Sequence, residues 1–145
     1  MLTFTPAQLT EALDREGLGV LPEDVSIADR SYAAVDQGFL ASTFSADLGA
    51  WIFQLFGKYA AEVRDCDDFA RFAAAVAQLW NSKTDGNGGN ALAFGEFWYV
   101  KDSGAGHAIN IGLARDGEVV FYEPQTQRIV ELSESEKWSC TLIRF

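Results

Sequence analysis

One histidine and two cysteines in 145 residues exclude a zinc-type Cys/His ligand spacing and allow at most one disulfide. Basic residues are also scarce: 11 lysines and arginines face 21 aspartates and glutamates, a net charge of −10. That deficit argues against a nucleic-acid backbone or an anionic membrane as partner and favours solubility and cation binding. No stretch approaches the roughly 20 apolar residues of a membrane-spanning helix, and no basic, apolar leader opens the sequence. The expected setting is therefore cytoplasmic, with both thiols free. What is abundant is apolar: 48% hydrophobic residues, 13% aromatic. At this length that suffices for one domain, 1–145, with a core that needs no disulfide or metal.

Thr5-Pro6-Ala7-Gln8 reads as a helix start: a hydroxyl cap, proline at the first helical position and glutamine at the third. The helix is expected to end near Arg15, ahead of Gly17. From Val35 to Phe44 the pattern fits helix or strand, and Trp51-Ile-Phe-Gln-Leu-Phe is expected to be helical and buried. A further helix opens after Asp65, its cap, with Cys66, Phe69, Ala70, Ala73, Ala77 and Trp80 at helical spacing on one face. Past a glycine-rich loop from Lys83 to Asn90, strands are expected at 92–100, 107–114, 118–123, 128–132 and 138–145. Helices first and an antiparallel sheet afterwards make an α+β domain.

The hairpin around Asp116-Gly117 decides which side chains share a face. A two-residue turn would pair Leu113 with Val120 and put Glu123 on the face opposite His107. A three-residue loop, Arg115 to Gly117 with the glycine left-handed, pairs Leu113 with Val119 instead. Ile109, Ile111, Leu113, Val119 and Phe121 then form one apolar face, and Glu123 sits diagonally from His107. Hydrophobicity favours this second register. The helix carrying Cys66 is expected to cover that face, so that the thiol meets His107 at its edge with Glu123 or Gln125 behind the imidazole.

A cysteine at a helix start, a histidine on a strand and a carboxylate on the next strand follow the order of a thiol nucleophile, its base and an orienting group. Cys66, His107 and Glu123 are the candidates. The bland reading makes Cys66 a small buried hydrophobe and leaves Asp67 and Asp68 as first-turn helix charges. Negative charge at Asp65, Asp67 and Asp68 disfavours a thiolate beside them. Either these acids turn into capping bonds and solvent, or a cation neutralises them, and clustered carboxylates such as Asp67 and Asp68 suit calcium. The stretch from Asp85 to Glu96 imitates a calcium loop at positions one, three and twelve but swaps glycine and asparagine at five and six. It reads as a flexible loop. Cys140, after Trp138 and far in sequence from any acid or base, reads as core.

Asp-Cys-Asp-Asp-Phe at 65–69, Gly-His-Ala-Ile-Asn at 106–110 and Tyr-Glu-Pro-Gln-Thr at 122–126 resemble the papain-like cysteine peptidases. The narrower likeness is to the calcium-dependent protease domain that follows the lectin of a fungal mushroom agglutinin, over roughly residues 50 to 130. The resemblance implies a papain-like fold and a hydrolase of peptide or amide bonds acting on a protein or peptide substrate through a thioester. It makes Cys66 the nucleophile, His107 the acid and base, Glu123 the orienting carboxylate and Gln125 a reserve for that third role. It also implies calcium at the acids beside Cys66. One departure counts against it: the family's oxyanion glutamine lies a few residues before the nucleophile, whereas here the nearest, Gln54, is 12 residues back. Two alternatives therefore accompany it, a glutamine deamidase using the same residues and an inactive papain-like binding module.

Overall fold

The computed structural model of the chain describes residues 2–58, 60, 64–83 and 89–145. Asp85 and Asn87, the first and third positions of the calcium-like stretch, lie outside the described residues. The chain opens with β1 (Thr3–Phe4) and α1 (Pro6–Glu16). α1 starts as the sequence predicts: the Gln8 N–H donates to Thr5 Oγ1 at 3.3 Å, and the Thr5 N–H donates to Gln8 Oε1 at 2.9 Å. Gly17 ends it in the left-handed conformation. Two short strands follow, β2 (Val25–Ser26) and β3 (Tyr32–Ala33).

The ambiguous stretch after Val35 is helical. Asp36 Oδ1 accepts the Phe39 N–H at 2.9 Å and caps α2 (Gln37–Phe39), which widens into a π turn over Leu40–Phe44 before α3 (Ser45–Trp51). A second π turn spans Ile52–Phe56. It is helical as expected but not buried: Phe53 is 86% exposed and Leu55 75%. α4 (Cys66–Lys83) then buries Phe69, Ala70, Ala73, Val76 and Ala77.

The second half comprises β4 (Ala91–Leu92), β5 (Phe94–Val100), β6 (Gly106–Leu113), β7 (Val119–Glu123), β8 (Arg128–Val130), α5 (Glu134–Trp138) and β9 (Leu142–Arg144). One sheet runs in the order β2-β9-β5-β6-β7-β8 and is antiparallel apart from the β2–β9 pair. A smaller one runs β1-β3-β4. The α+β expectation holds. The strand expected from Trp138 is corrected, because Ser133 and Glu136 form a capping box that starts a helix instead: the Glu136 N–H donates to Ser133 Oγ at 3.2 Å and the Ser133 N–H to Glu136 Oε2 at 3.1 Å. β9 can lie against β5 only because residue 95 is glycine; a Cβ there would stand 1.8 Å from the Arg144 carbonyl oxygen.

The central hairpin keeps its expected register, with Leu113 opposite Val119 and Ile111 opposite Phe121. The Ala114 N–H donates to the Glu118 carbonyl at 2.9 Å, the Gly117 N–H to the Ala114 carbonyl at 3.0 Å, and Gly117 takes φ +84°. Only the covering of the sheet differs. Ile109, Ile111 and Phe121 share a core with Leu13, Phe97, Cys140 and Ile143, so α1 closes that face. α4 lies on the opposite one, where Ala73, Val76 and Ala77 pack against Phe94, Val120 and Tyr122. The reason is in β6: Ala108, Asn110 and Gly112 leave shallow side chains on that face. Asn110, fully buried, holds the helix there through Nδ2, which donates to the Ala70 carbonyl at 2.8 Å and the Gly95 carbonyl at 2.9 Å.

Asn110→Ala removes both bonds and leaves a small void. Thermal unfolding should show a loss of about 1–3 kcal/mol, each kcal/mol lowering the melting temperature by about 2–4 °C at this chain length. A second expectation concerns alkali. Burial pushes the Cys140 thiol up to about 12 from 9.0, and the Tyr122 phenol up to about 12 from 10.0 against a lowering hydrogen bond from Ser45. The folded chain keeps protons that the unfolded chain gives up, so this contribution to stability is full below pH 9 and is lost as the pH climbs toward 12. The melting temperature should start to fall near pH 9, and Cys140→Ala should flatten the first part of the decline.

Candidate functional site

His107 stands near the start of β6 and Glu123 at the end of β7. His107 Nε2 lies 2.6 Å from Glu123 Oε2, with 10% and 15% of the two side chains exposed. This is the pairing that the three-residue loop predicts. The other carboxylate oxygen, Oε1, accepts the Gln125 N–H at 3.0 Å. Gln125 therefore steadies the acid through its backbone and leaves its amide for other contacts.

Sequence reasoning missed Tyr99. It faces His107 across the β5–β6 ladder, and its ring meets the imidazole edge-on at a centroid distance of 5.8 Å. Burial, followed by the negative charges of Glu136 and Glu123 and by the Cys66 thiol, pushes the Tyr99 phenol well up, so the ring beside the imidazole is neutral. The signal was available in principle, because the antiparallel register that aligns Phe97 with Ile109 also aligns Tyr99 with His107.

Cys66 begins α4 as a half-buried free thiol. With α4 on the Asn110 face, Cys66 does not sit over the Ile109–Ile111 surface, as the sequence led us to expect. It lies close enough to Tyr99 to contribute to the raised position of that phenol, which puts it at the same end of the sheet as His107.

The acids beside it form a tight group: Asp65, Asp67 and Asp68 each offer an oxygen, all within 4.8 Å of one another. Arg71, one turn along, meets Asp67 at 2.7 Å, Asp68 at 3.4 Å and Glu96 at 3.7 Å. The hydrogen bond with the Asp65 side chain, then the Arg71 charge, holds the Asp67 carboxyl below the usual carboxylate range. Carboxylates are donors of the right kind for calcium, which takes about six to eight oxygens. In this arrangement, however, the cation that two of the three acids face is the Arg71 guanidinium.

Beyond Gln125 the surface opens into a cleft of about 430 Å³ between the Ile52–Phe56 turn and the β7–β8 connection. Ile52, Phe53, Lys58, Phe69, Gln125 and Gln127 line it. Gln127 takes φ +52°, the one positive φ at a non-glycine among the described residues. Two bonds hold it there, from its Nε2 to the Pro124 carbonyl at 2.8 Å and the Gln125 carbonyl at 3.0 Å. Gln54, the nearest oxyanion candidate in sequence, is exposed on the Ile52–Phe56 turn.

No family model and no curated protein matches this chain. Among the solved structures that do are two. One is described as Polyporus squamosus lectin bound to the human-type influenza-binding epitope Neu5Acα2-6Galβ1-4GlcNAc, with a TM-score of 0.74. The other is described as a PSL1a–E64 complex, with a TM-score of 0.71. Each is 24% identical and is matched along 99% of this chain. The chain spans about half the length of those it matches, 51% and 50%.

These likenesses show the fold, and they correct the resemblance drawn from short motifs. The architecture is one found in a protein described as a lectin, and these likenesses do not confirm the papain-like arrangement that was expected. The cysteine-hydrolase reading is withdrawn, and with it the deamidase and inactive papain-like variants and the protein substrate. The physical reason lies in what those motifs encode. Asp-Cys-Asp-Asp-Phe, Gly-His-Ala-Ile-Asn and Tyr-Glu-Pro-Gln-Thr specify a helix start and two strand ends, a local geometry that does not by itself determine its use.

The two thiols should differ in reactivity. Cys140 is 5% exposed and pushed up to about 12, so it should stay unmodified in the folded chain, whereas Cys66 is half-buried. Iodoacetamide at pH 8 followed by peptide mass spectrometry should give a single adduct, on Cys66. Equal labelling of both cysteines would contradict the buried position of Cys140.

Proposed function

We propose that this chain binds carbohydrate, in the cleft between the Ile52–Phe56 turn and the β7–β8 connection. The observation that carries the reading is Phe53, 86% exposed at the rim of that cleft and opposite two glutamine amides. A large apolar ring is costly to leave in water. A sugar offers a natural cover, because the C–H face of a pyranose is apolar and its hydroxyls point outward. Gln125 presents a donor and an acceptor on one planar group, which matches adjacent hydroxyls, and Gln127, whose Nε2 is taken by the Pro124 and Gln125 carbonyls, offers its Oε1 as an acceptor. Phe69 supplies an apolar floor, and about 430 Å³ suits one or two sugar rings.

Lys58, on the lining of a chain with net charge −10, offers a counter-charge to an acidic sugar. The lectin with the same fold supports the reading, since its printed description has it bound to a sialylated glycan. We assign Gln125 to the polar inner end of the cleft, with the His107–Glu123 pair behind it through the bond from the Gln125 N–H to Glu123 Oε1.

Calorimetric titration of the whole chain with Neu5Acα2-6Galβ1-4GlcNAc, and with Galβ1-4GlcNAc lacking the acidic sugar, tests this. Phe53→Ala should weaken binding about tenfold, the worth of one aromatic stacking contact. Lys58→Gln should weaken only the acidic glycan. The absence of binding to any member of a broad glycan array would end the proposal.

A further inference from the structure

A second, open pocket lies at the other end of α4. Eleven residues, and so about 16 Å of helix, separate Trp80 there from Phe69 in the cleft. This cavity measures about 250 Å³. Its walls are apolar: Val35 and Leu92, buried in the core, and the rings of Phe39 and Trp80. Those two rings meet edge-to-face with centroids 5.8 Å apart and planes at 71°.

At the cavity, one wall is charged. Arg115 Nη2 lies 3.4 Å from Asp36 Oδ2, with 71% and 45% of the two side chains exposed. Asp36 is already committed, since its other oxygen caps α2 through the Phe39 N–H at 2.9 Å. Arg115 has no second partner among the described residues. One terminal nitrogen makes a long contact, and the other donors of the five-donor planar fork face solvent, open to a ligand.

We propose that this cavity is a binding site for a small planar aromatic carboxylate, separate from the cleft beside Gln125. The ring lies against the Phe39–Trp80 pair, in the offset or edge-on geometry such pairs favour. The carboxylate takes the open edge of the Arg115 guanidinium, a planar match of two oxygens to two N–H donors. Shape sets the upper limit on size: about 250 Å³ accommodates a fused bicyclic ring with one carboxylate and little more. Charge supplies the preference, because Asp36 alone would repel an anion and Arg115 offsets that charge while offering its own donors at the entrance.

The probe is 2-naphthoate, titrated by calorimetry into the full chain beside its neutral isostere naphthalene-2-carboxamide, with ¹⁵N-indole spectra to locate it. The acid should bind about fivefold more tightly than the amide, the scale of one solvent-exposed ion pair. In Arg115→Gln, an exposed position expected to leave the fold intact, the two should bind alike. Among the four tryptophans, the Trp80 indole N–H should shift most. Saturating Neu5Acα2-6Galβ1-4GlcNAc should leave naphthoate affinity unchanged, so this site stands or falls independently of the glycan cleft. Equal affinity for acid and amide in the unaltered chain overturns the proposal. So does the absence of binding at millimolar concentration, or a largest shift at a tryptophan other than Trp80.

Discussion

The three residues joining β6 to β7 decide what the rest of the molecule can bring together. With Arg115, Asp116 and Gly117 as the loop, Leu113 lies opposite Val119, and the two-residue alternation of strands carries that alignment to the far end of the hairpin. There it sets His107 against Glu123 at 2.6 Å. One residue fewer in the loop would send one strand's set through the sheet to the other side, parting the imidazole from its carboxylate and opening the core of Ile109, Ile111 and Phe121. The left-handed backbone of Gly117, at a position where side chains are strained, thus sets both the packing of one face and the polar pair at its edge.

The sheet's two faces are filled by different means. On one, bulky side chains from β5, β6, β7 and β9 meet α1 and the segment after it. On the other, β6 offers alanine, asparagine and glycine, and α4 fits close against them. Asn110 is the polar link in that contact, tied at once to the helix and to β5. Because the link is near the start of α4, it fixes where Cys66 and Phe69 stand relative to the sheet, and through Phe69 it fixes the floor of the cleft.

Features carried by neighbouring residues were legible in the sequence. The Thr5 cap, the hairpin register and the contact of His107 with Glu123 each follow from a local rule of capping, turn geometry or alternation. Features decided by distant packing were not. The hold of Asn110 on α4 depends on residues far apart in the chain, so the face chosen by α4 could not be read. Phe53 and Leu55 were expected to be buried because the run around them is apolar, whereas the Ile52–Phe56 π turn leaves both exposed. The helix at Glu134–Trp138 was announced by Ser133 and Glu136, but the apolar residues after it drew the reading toward a strand. Use was the least legible of all. The motifs about Cys66, His107 and Glu123 describe a shape, and the matched fold is one found in a protein described as a lectin.

The Ile52–Phe56 turn also has a thermodynamic consequence. Two of its five side chains contribute almost nothing to the interior, so displacing them forfeits little of the energy that holds the fold. Asn110 keeps α4 anchored on the opposite side of Phe69. Adaptation to molecules of different outline would then fall to a single wall, with the scaffold behind it standing still. Selectivity in such a groove is set by how far one edge can be drawn inward, much as a jaw closes on a fixed anvil.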